Sequence, residues 1–137
     1  MGIDTFRPVA EEDPTLHRIH REHFRVSSYA ADAVNDTRER GGRVIAIGTT
    51  STRALESAWD PDTEQVEAAQ GATSLYILPG YRFHVVDALV TNFHVPRSTL
   101  LMMVSAFAGR GPVMAAYQAA IERQYRFLSF GDAMLIL

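Results

Sequence analysis

Arg43-Val44-Ile45-Ala46-Ile47-Gly48 runs directly into Thr49-Thr50-Ser51-Thr52-Arg53-Ala54-Leu55-Glu56-Ser57-Ala58, and this junction decides the fold. The first stretch is a short β-branched run of the kind buried in a parallel sheet. The second opens on hydroxyl residues suited to capping a helix, with Leu55 and Ala58 spaced to face a core. Strand, polar turn and helix make half of a βαβ unit.

Working upstream, Gly41-Gly42 suits a helix stop, and Ala30, Ala33, Val34 and Thr37 recur at helical spacing behind Ser27 and Ser28 as N-cap. Leu16 to Val26 mixes strand-like apolar positions with histidines, and Glu11-Glu12-Asp13-Pro14 reads as a turn after an extended piece ending at Val9. Downstream, Asp60-Pro61-Asp62 ends the second helix and Glu64 to Gly71 reads as a surface loop. Leu75-Tyr76-Ile77-Leu78 is expected as a strand closed by Pro79-Gly80, and Val85 to Val90 as another. Pro96 is expected just inside a helix carrying Leu100 to Phe107, which Gly109 ends. Val113, Ala116, Tyr117, Ala120, Ile121 and Gln124 define the stripe of an amphipathic helix, and Ala133 to Leu137 reads as a final buried strand. Alternating strands and helices predict an α/β fold: a mixed or mostly parallel sheet, barrel-like or layered, with flanking helices.

The 137 residues suit one domain, and 47% apolar with 21% charged content excludes disordered and fibrous classes. No run approaches the roughly 20 apolar residues of a membrane helix. Asp4, Arg7, Glu11, Glu12 and Asp13 interrupt any signal core, so a cytoplasmic protein is expected. The absence of cysteine excludes disulfides and thiolate metal sites. A net charge of −3 argues against a dedicated basic nucleic-acid domain. All 13 cationic residues are arginine. Compositional bias explains that, and phosphate recognition by the guanidinium fork is the alternative. Arg18, Arg21 and Arg25 form one local cluster; Arg38, Arg40 and Arg43 form another, suited to a solvated helix end.

Several blocks carry a resemblance. Gly48 to Ser57 is similar to a GTTSxRxLES motif, and Pro79 to Met102 to PGYxFxVVDALxTNFHxPxSTLLM. Ser105 to Gly109 and Tyr125 to Met134 match two further blocks, while Thr5 to Val9 and His17, His20 and Glu22 fall where GTFxPV and HxxHxE are expected. In order and spacing these resemble the S-adenosylmethionine:tRNA ribosyltransferase-isomerase family of queuosine synthesis. Asp4 and His23 depart from the pattern. The family enzyme is more than twice as long. The resemblance therefore implies the C-terminal part of the main α/β catalytic domain, without the N-terminal half or the separate β-rich domain. Apolar surface facing that missing part would promote homo-oligomers.

What the resemblance implies chemically is ribosyl transfer. S-adenosylmethionine donates its ribosyl group to 7-aminomethyl-7-deazaguanine at the wobble position of a tRNA with a GUN anticodon. Epoxyqueuosine forms, with adenine and methionine released. No membrane partner and no metal are implied. The sulfonium acidifies the adjacent 5′ carbon, so a carboxylate or neutral imidazole held nearby can serve as base.

His94, in the loop after a strand, is a candidate general acid or base, with Thr91 and Asn92 orienting substrate; the alternative is a histidine capping the next helix. Asp87 in an apolar strand reads as a buried carboxylate, either functional or paired with Arg82 or Arg53. Glu22 and His20 are candidates for substrate contact or acid–base work, against a surface charge network. Thr49, Thr50 and Ser51, with Arg53 assisting, offer an anion site at a helix N-terminus, or ordinary caps. Tyr81, Phe83 and Phe93 are candidate base-stacking aromatics, against core packing, and Glu56 reads as a solvated helix position. A non-catalytic assembly module is the competing function. A hydrolase-like fold is disfavoured because G-x-S-x-G is missing. The expectation is that His20, Glu22, Thr50, Asp87 and His94 share one cleft.

Overall fold

The computed structural model describes Asp13, Leu16, His17 and residues 19–137; the expected extended piece ending at Val9, and Arg18, lie outside the described residues. The elements are β1 (Glu22–Val26), α1 (Ser28–Glu39), β2 (Ile45–Ile47), α2 (Thr49–Ser57), β3 (Trp59–Asp60), β4 (Gln65–Val66), β5 (Ala69–Thr73), β6 (Ala88–Asn92), α3 (Thr99–Ala108), α4 (Arg110–Glu122) and β7 (Ala133–Ile136).

The βαβ reading of the decisive junction holds. β2 lies parallel to β6, with Ile45 opposite Ala88 and Ile47 opposite Val90. β7 pairs antiparallel on the far side of β6, from Leu89 opposite Ile136 to Asn92 opposite Ala133. The sheet is therefore mixed, in the order β2-β6-β7, and no barrel closes among the described residues. Period-two alternation sends Ala46 and Leu89 into the core, with Val86, Phe93, Val104, Val113 and Tyr117 in the same cluster. β1 and β5 form an antiparallel ribbon, and β3 and β4 a short hairpin.

Among the described residues, nothing covers the apolar side chains at the edges of the opposite sheet face. Ile45, Ile47, Leu135 and Leu137 are 50, 75, 59 and 74% exposed, so β2 is not the doubly covered strand its composition suggests. β7, expected as buried, is likewise an edge strand covered on one face only.

The ends of α1 follow the predicted chemistry. The Ser27 Oγ accepts from the Ala30 amide at 3.2 Å, and Gly41 at φ +71° ends the first helix. Ser98 caps α3, accepting from the Leu101 amide at 3.1 Å, which leaves Pro96 outside the helix rather than within it. On α4 the buried stripe is narrower than its periodicity suggests: Val113, Tyr117 and Ala120 are buried, whereas Ile121 is exposed.

Three expectations fail between residues 64 and 87, one being the strand from Val85, since β6 begins only at Ala88. Glu64 to Gly71 is not a plain loop, because β4 and most of β5 lie there. Ala69-Gln70-Gly71-Ala72-Thr73 has little intrinsic strand preference, and its ladder with β1 supplies what propensity does not. Leu75 to Leu78 is not a strand, for no ladder reaches it.

The segment before β6 is held by Glu56 instead. This side chain is buried, not solvated. Its Oε1 accepts from the amides of Val85 and Val86 at 3.0 Å each, and its Oε2 from the His84 amide at 2.9 Å and the Tyr81 hydroxyl at 3.1 Å. One carboxylate thus takes the place of a missing strand partner for three consecutive amides.

Candidate functional site

A cavity of about 410 Å³ opens beyond the carboxyl ends of the parallel pair β2 and β6. Its described walls include Gly48, Thr49 and Thr50 from the first crossover turn, and Thr91, Asn92 and His94 from the end of β6. Crevices beyond strand carboxyl ends are where open α/β sheets bind ligands. Leu128 and Ser129 complete one side.

The turn into α2 is built for close approach. Gly48 has φ +88°, a region side chains avoid, and as the N-cap residue it makes no side-chain cap bond to the helix that follows. The capping alternative for Thr49, Thr50 and Ser51 is therefore not realised. Thr52 instead donates its hydroxyl back to the Gly48 carbonyl at 3.2 Å. Thr49 is buried and Thr50 exposed, both on the cavity wall, whereas Ser51 is exposed and absent from it.

His94 caps no helix either, since Ser98 does that. Its amide donates to the Tyr117 hydroxyl at 2.7 Å, which fixes the backbone. Its ring Nε2 lies 2.8 Å from the Thr91 hydroxyl, with the direction of donation set by the tautomer. Burial pushes the imidazole down to about 4, so it is neutral at physiological pH. Burial likewise raises the Tyr117 phenol, partly offset by the bond from His94.

A stability prediction follows. The unfolded chain binds a proton at His94 below about 6.5 and the folded chain only below about 4, so stability falls as pH drops through this interval. Allowing for the partial exposure of the ring, the contribution is on the order of 1–2 kcal/mol. Urea unfolding midpoints at pH 7 and pH 4.5 are expected to differ less in His94→Gln than in the parent; equal pH dependence would contradict the assignment.

The other wall depends on a tight loop after α4. The Arg126 amide donates to Asp132 Oδ2 at 2.7 Å, and their side chains pair at 3.6 Å. A Cβ on Gly131 would meet the Arg126 carbonyl at 2.2 Å, so only glycine fits. Phe127 packs on Phe93 at 4.9 Å between ring centroids, and the Leu128 amide donates to the Phe93 carbonyl at 2.9 Å. This loop was legible only as a motif block, because nothing in its polarity marks Leu128 and Ser129 as cavity walls.

Several candidates lie elsewhere. Phe93 is buried among Tyr117, Tyr125 and Phe127, so it packs the core rather than stacking a base. Tyr81 belongs to the Glu56 clamp, where burial and then the carboxylate push its phenol up. Asp87 is exposed, not buried, because it precedes β6; its Oδ2 accepts from the Val44 amide at 2.8 Å and neither Arg82 nor Arg53 pairs with it.

Glu22 and Arg53 form a separate buried pair at 2.8 Å, with Arg53 also donating through Nε to the Leu75 carbonyl at 3.1 Å. Breaking such a pair costs about 3–5 kcal/mol, which gives it a structural weight of its own. Neither residue, nor exposed His20, lines the cavity. The expected single cleft thus divides: Thr50 and His94 share the cavity, while His20, Glu22, Arg53 and Asp87 do not contribute to its described wall. Among the described residues no three His, Asp or Glu side chains are grouped to hold a metal ion, and no single helix is long and apolar enough to cross a membrane.

The S-adenosylmethionine:tRNA ribosyltransferase-isomerase of Symbiobacterium thermophilum is 56% identical over 137 residues, all of this chain and 40% of that protein. The enzyme of the same name from Cupriavidus pinatubonensis is 57% identical over 136 residues, 99% of this chain and 39% of that protein. The crystal structure of S-adenosylmethionine tRNA ribosyltransferase from Thermotoga maritima superposes with a TM-score of 0.74 at 50% identity, covering 84% of this chain and 40% of that one. The chain spans about 40% of the length of these relatives. A sequence profile described as queuosine biosynthesis protein matches residues 1–136, and on that match the chain belongs to the queuosine biosynthesis protein family.

Proposed function

We propose that this chain is the C-terminal part of the catalytic domain of a cytoplasmic tRNA ribosyltransferase-isomerase, and that its cavity receives the sulfonium nucleoside. The observation that carries the reading is a neutral, fixed imidazole, His94, on the same wall as a helix N-terminus whose N-cap is a glycine.

S-adenosylmethionine combines a cationic sulfonium with a carboxylate. The first turn of α2, with Thr49 and Thr50, suits the carboxylate, because helix N-termini favour anions. A neutral imidazole tolerates the nearby sulfonium, whereas an imidazolium would be repelled. His94 is therefore the base rather than the acid: its unprotonated form is already the populated one. In the tautomer whose Nε2–H donates to Thr91, the lone pair sits on Nδ1, which has no hydrogen-bond partner among the described residues. Asn92 is held by its side-chain amide donating to the Asp132 carbonyl at 3.3 Å, and orients the ribosyl group. The acceptor is 7-aminomethyl-7-deazaguanine in a tRNA with a GUN anticodon.

The test is release of adenine from S-adenosylmethionine by this chain with precursor tRNA, alone and with the remaining segment of a relative added in trans, alongside mass spectrometry of the wobble nucleoside. Epoxyqueuosine in either mixture supports the reading. Its absence from both, with both partners folded and associated, overturns it.

The exposed apolar side chains at the edges of the β2-β6-β7 sheet favour a second reading, an assembly module that works only with another polypeptide. An apolar face of this kind also drives self-association. Sedimentation velocity is expected to show dimers or larger species that Ile47→Asp and Leu135→Asp convert to monomer; a parent chain that is monomeric at high concentration would contradict this.

A further inference from the structure

A second, polar hollow of about 290 Å³ is lined by Arg38, Trp59, Glu64, Arg82, Phe83 and His84. The Arg38 guanidinium lies 4.6 Å from the centroid of the Trp59 ring. The His84 ring stacks on the same indole, with centroids 5.4 Å apart and planes 19° apart. Stacking engages the face of the imidazole and leaves its in-plane N–H edge available, and a cation–π contact at the guanidinium carbon leaves Arg38 N–H groups to donate. Among the described residues Arg38, Arg82 and the His84 ring have no hydrogen-bonded or ion-paired acceptor. Two guanidinium forks and an imidazole edge, opposed by one carboxylate on Glu64, make a receptor for a phosphodiester.

Its location follows from topology. Arg38 ends α1 ahead of β2, and Arg82 and His84 precede β6, so both lie toward the amino ends of the parallel pair. The cavity at Thr49 and His94 lies at the carboxyl ends. α2 runs between the two levels, and Trp59 follows it, which separates them by roughly 15 Å at the rise of an α-helix. One nucleoside cannot bridge that span; a polynucleotide can.

We propose that the Arg38–Trp59–His84–Arg82 cluster grips a backbone phosphate of the RNA substrate, at a distance from the nucleotide being modified. This rests on the reading of the chain as a tRNA-modifying enzyme, and adds a docking point to it.

Trp59 is the only tryptophan in the sequence, so its fluorescence reports on this hollow alone. Precursor tRNA, titrated into the chain, is expected to change Trp59 emission with the same midpoint as anisotropy of labelled tRNA. Inorganic phosphate at matched concentration and S-adenosylmethionine are expected to leave it unchanged. Arg82→Ala, an exposed position, is expected to weaken tRNA roughly five- to tenfold and to reduce the slope of log K against log salt by about 0.7–0.9, the effect of one phosphate contact. Arg38→Ala adds a similar loss, with unfolding midpoints monitored alongside. The proposal is overturned if both variants keep the parent's affinity and salt slope, if tRNA does not bind, or if only inorganic phosphate perturbs Trp59. Unchanged slopes with adenine release retained would remove the docking point and leave the proposed activity standing.

Discussion

Glu56→Ala is expected to destabilise the chain by on the order of 4 kcal/mol, a fall in melting temperature of roughly 15 °C. The carboxylate accepts from three amides and one phenol, all at 2.9–3.1 Å, and both its oxygens are engaged twice. Removing it strands the His84, Val85 and Val86 amides, two of them on buried residues, just ahead of the central strand β6. Glu56→Gln retains one acceptor oxygen and turns an amide toward donors, so it is expected to recover only part of the loss. Thermal unfolding followed by circular dichroism reads both, and a drop under about 1 kcal/mol for alanine would show that the segment is held by other means.

The second large effect is on catalysis. His94→Gln is expected to reduce adenine release by about 10²–10⁴-fold, the range for loss of a positioned general base. Glutamine keeps a polar group at the cavity wall, and the backbone bond to Tyr117 is untouched because it comes from the main-chain amide. Affinity for S-adenosylmethionine is expected to change far less than turnover, which separates proton abstraction from binding. In the parent, turnover should hold as pH falls toward 5, since His94 stays neutral until about 4. A loss of activity centred near 6.5 would mean that a different, ordinary histidine carries the chemistry.

The parts of the fold that were legible in the sequence are those with a local physical cause. Ser27, Gly41 and Gly109 marked helix ends because capping and left-handed backbone are properties of single residues, whereas the start of α3 was misplaced at Pro96 and lies after Ser98. Ile45 to Ile47 were readable as a strand because β-branched runs need a sheet, and the expected strand Val85 to Val90 overlaps β6 over Ala88 to Val90. What could not be read was set by distant partners. β5 exists because β1 lies beside it, and Glu56 is buried because a strandless segment needs its oxygens; neither fact leaves a periodic trace. Asp87 misled for a related reason: the strand begins at Ala88, three residues after the start of the expected run at Val85, so the carboxylate stays exposed and ties down the Val44 amide.

The site was half legible. Thr49, Thr50, Thr91, Asn92 and His94 come together because the parallel crossover places both strand ends at one level. Sequence proximity to a motif misplaced Phe93, whose side chain alternates into the core from the residue between Asn92 and His94. Leu128 and Ser129 needed the folded loop to reveal them.

The central claim is that the cavity at the carboxyl ends of β2 and β6 binds the sulfonium nucleoside. Nitrogen-15 NMR of the His94 ring and of the Thr50 and Thr91 amides, during titration with S-adenosylmethionine, tests it most directly. Saturable shifts at all three, with the imidazole remaining neutral at pH 7, are the predicted result. Saturable binding that leaves these three unperturbed and shifts residues around Glu22 and Arg53 would contradict it.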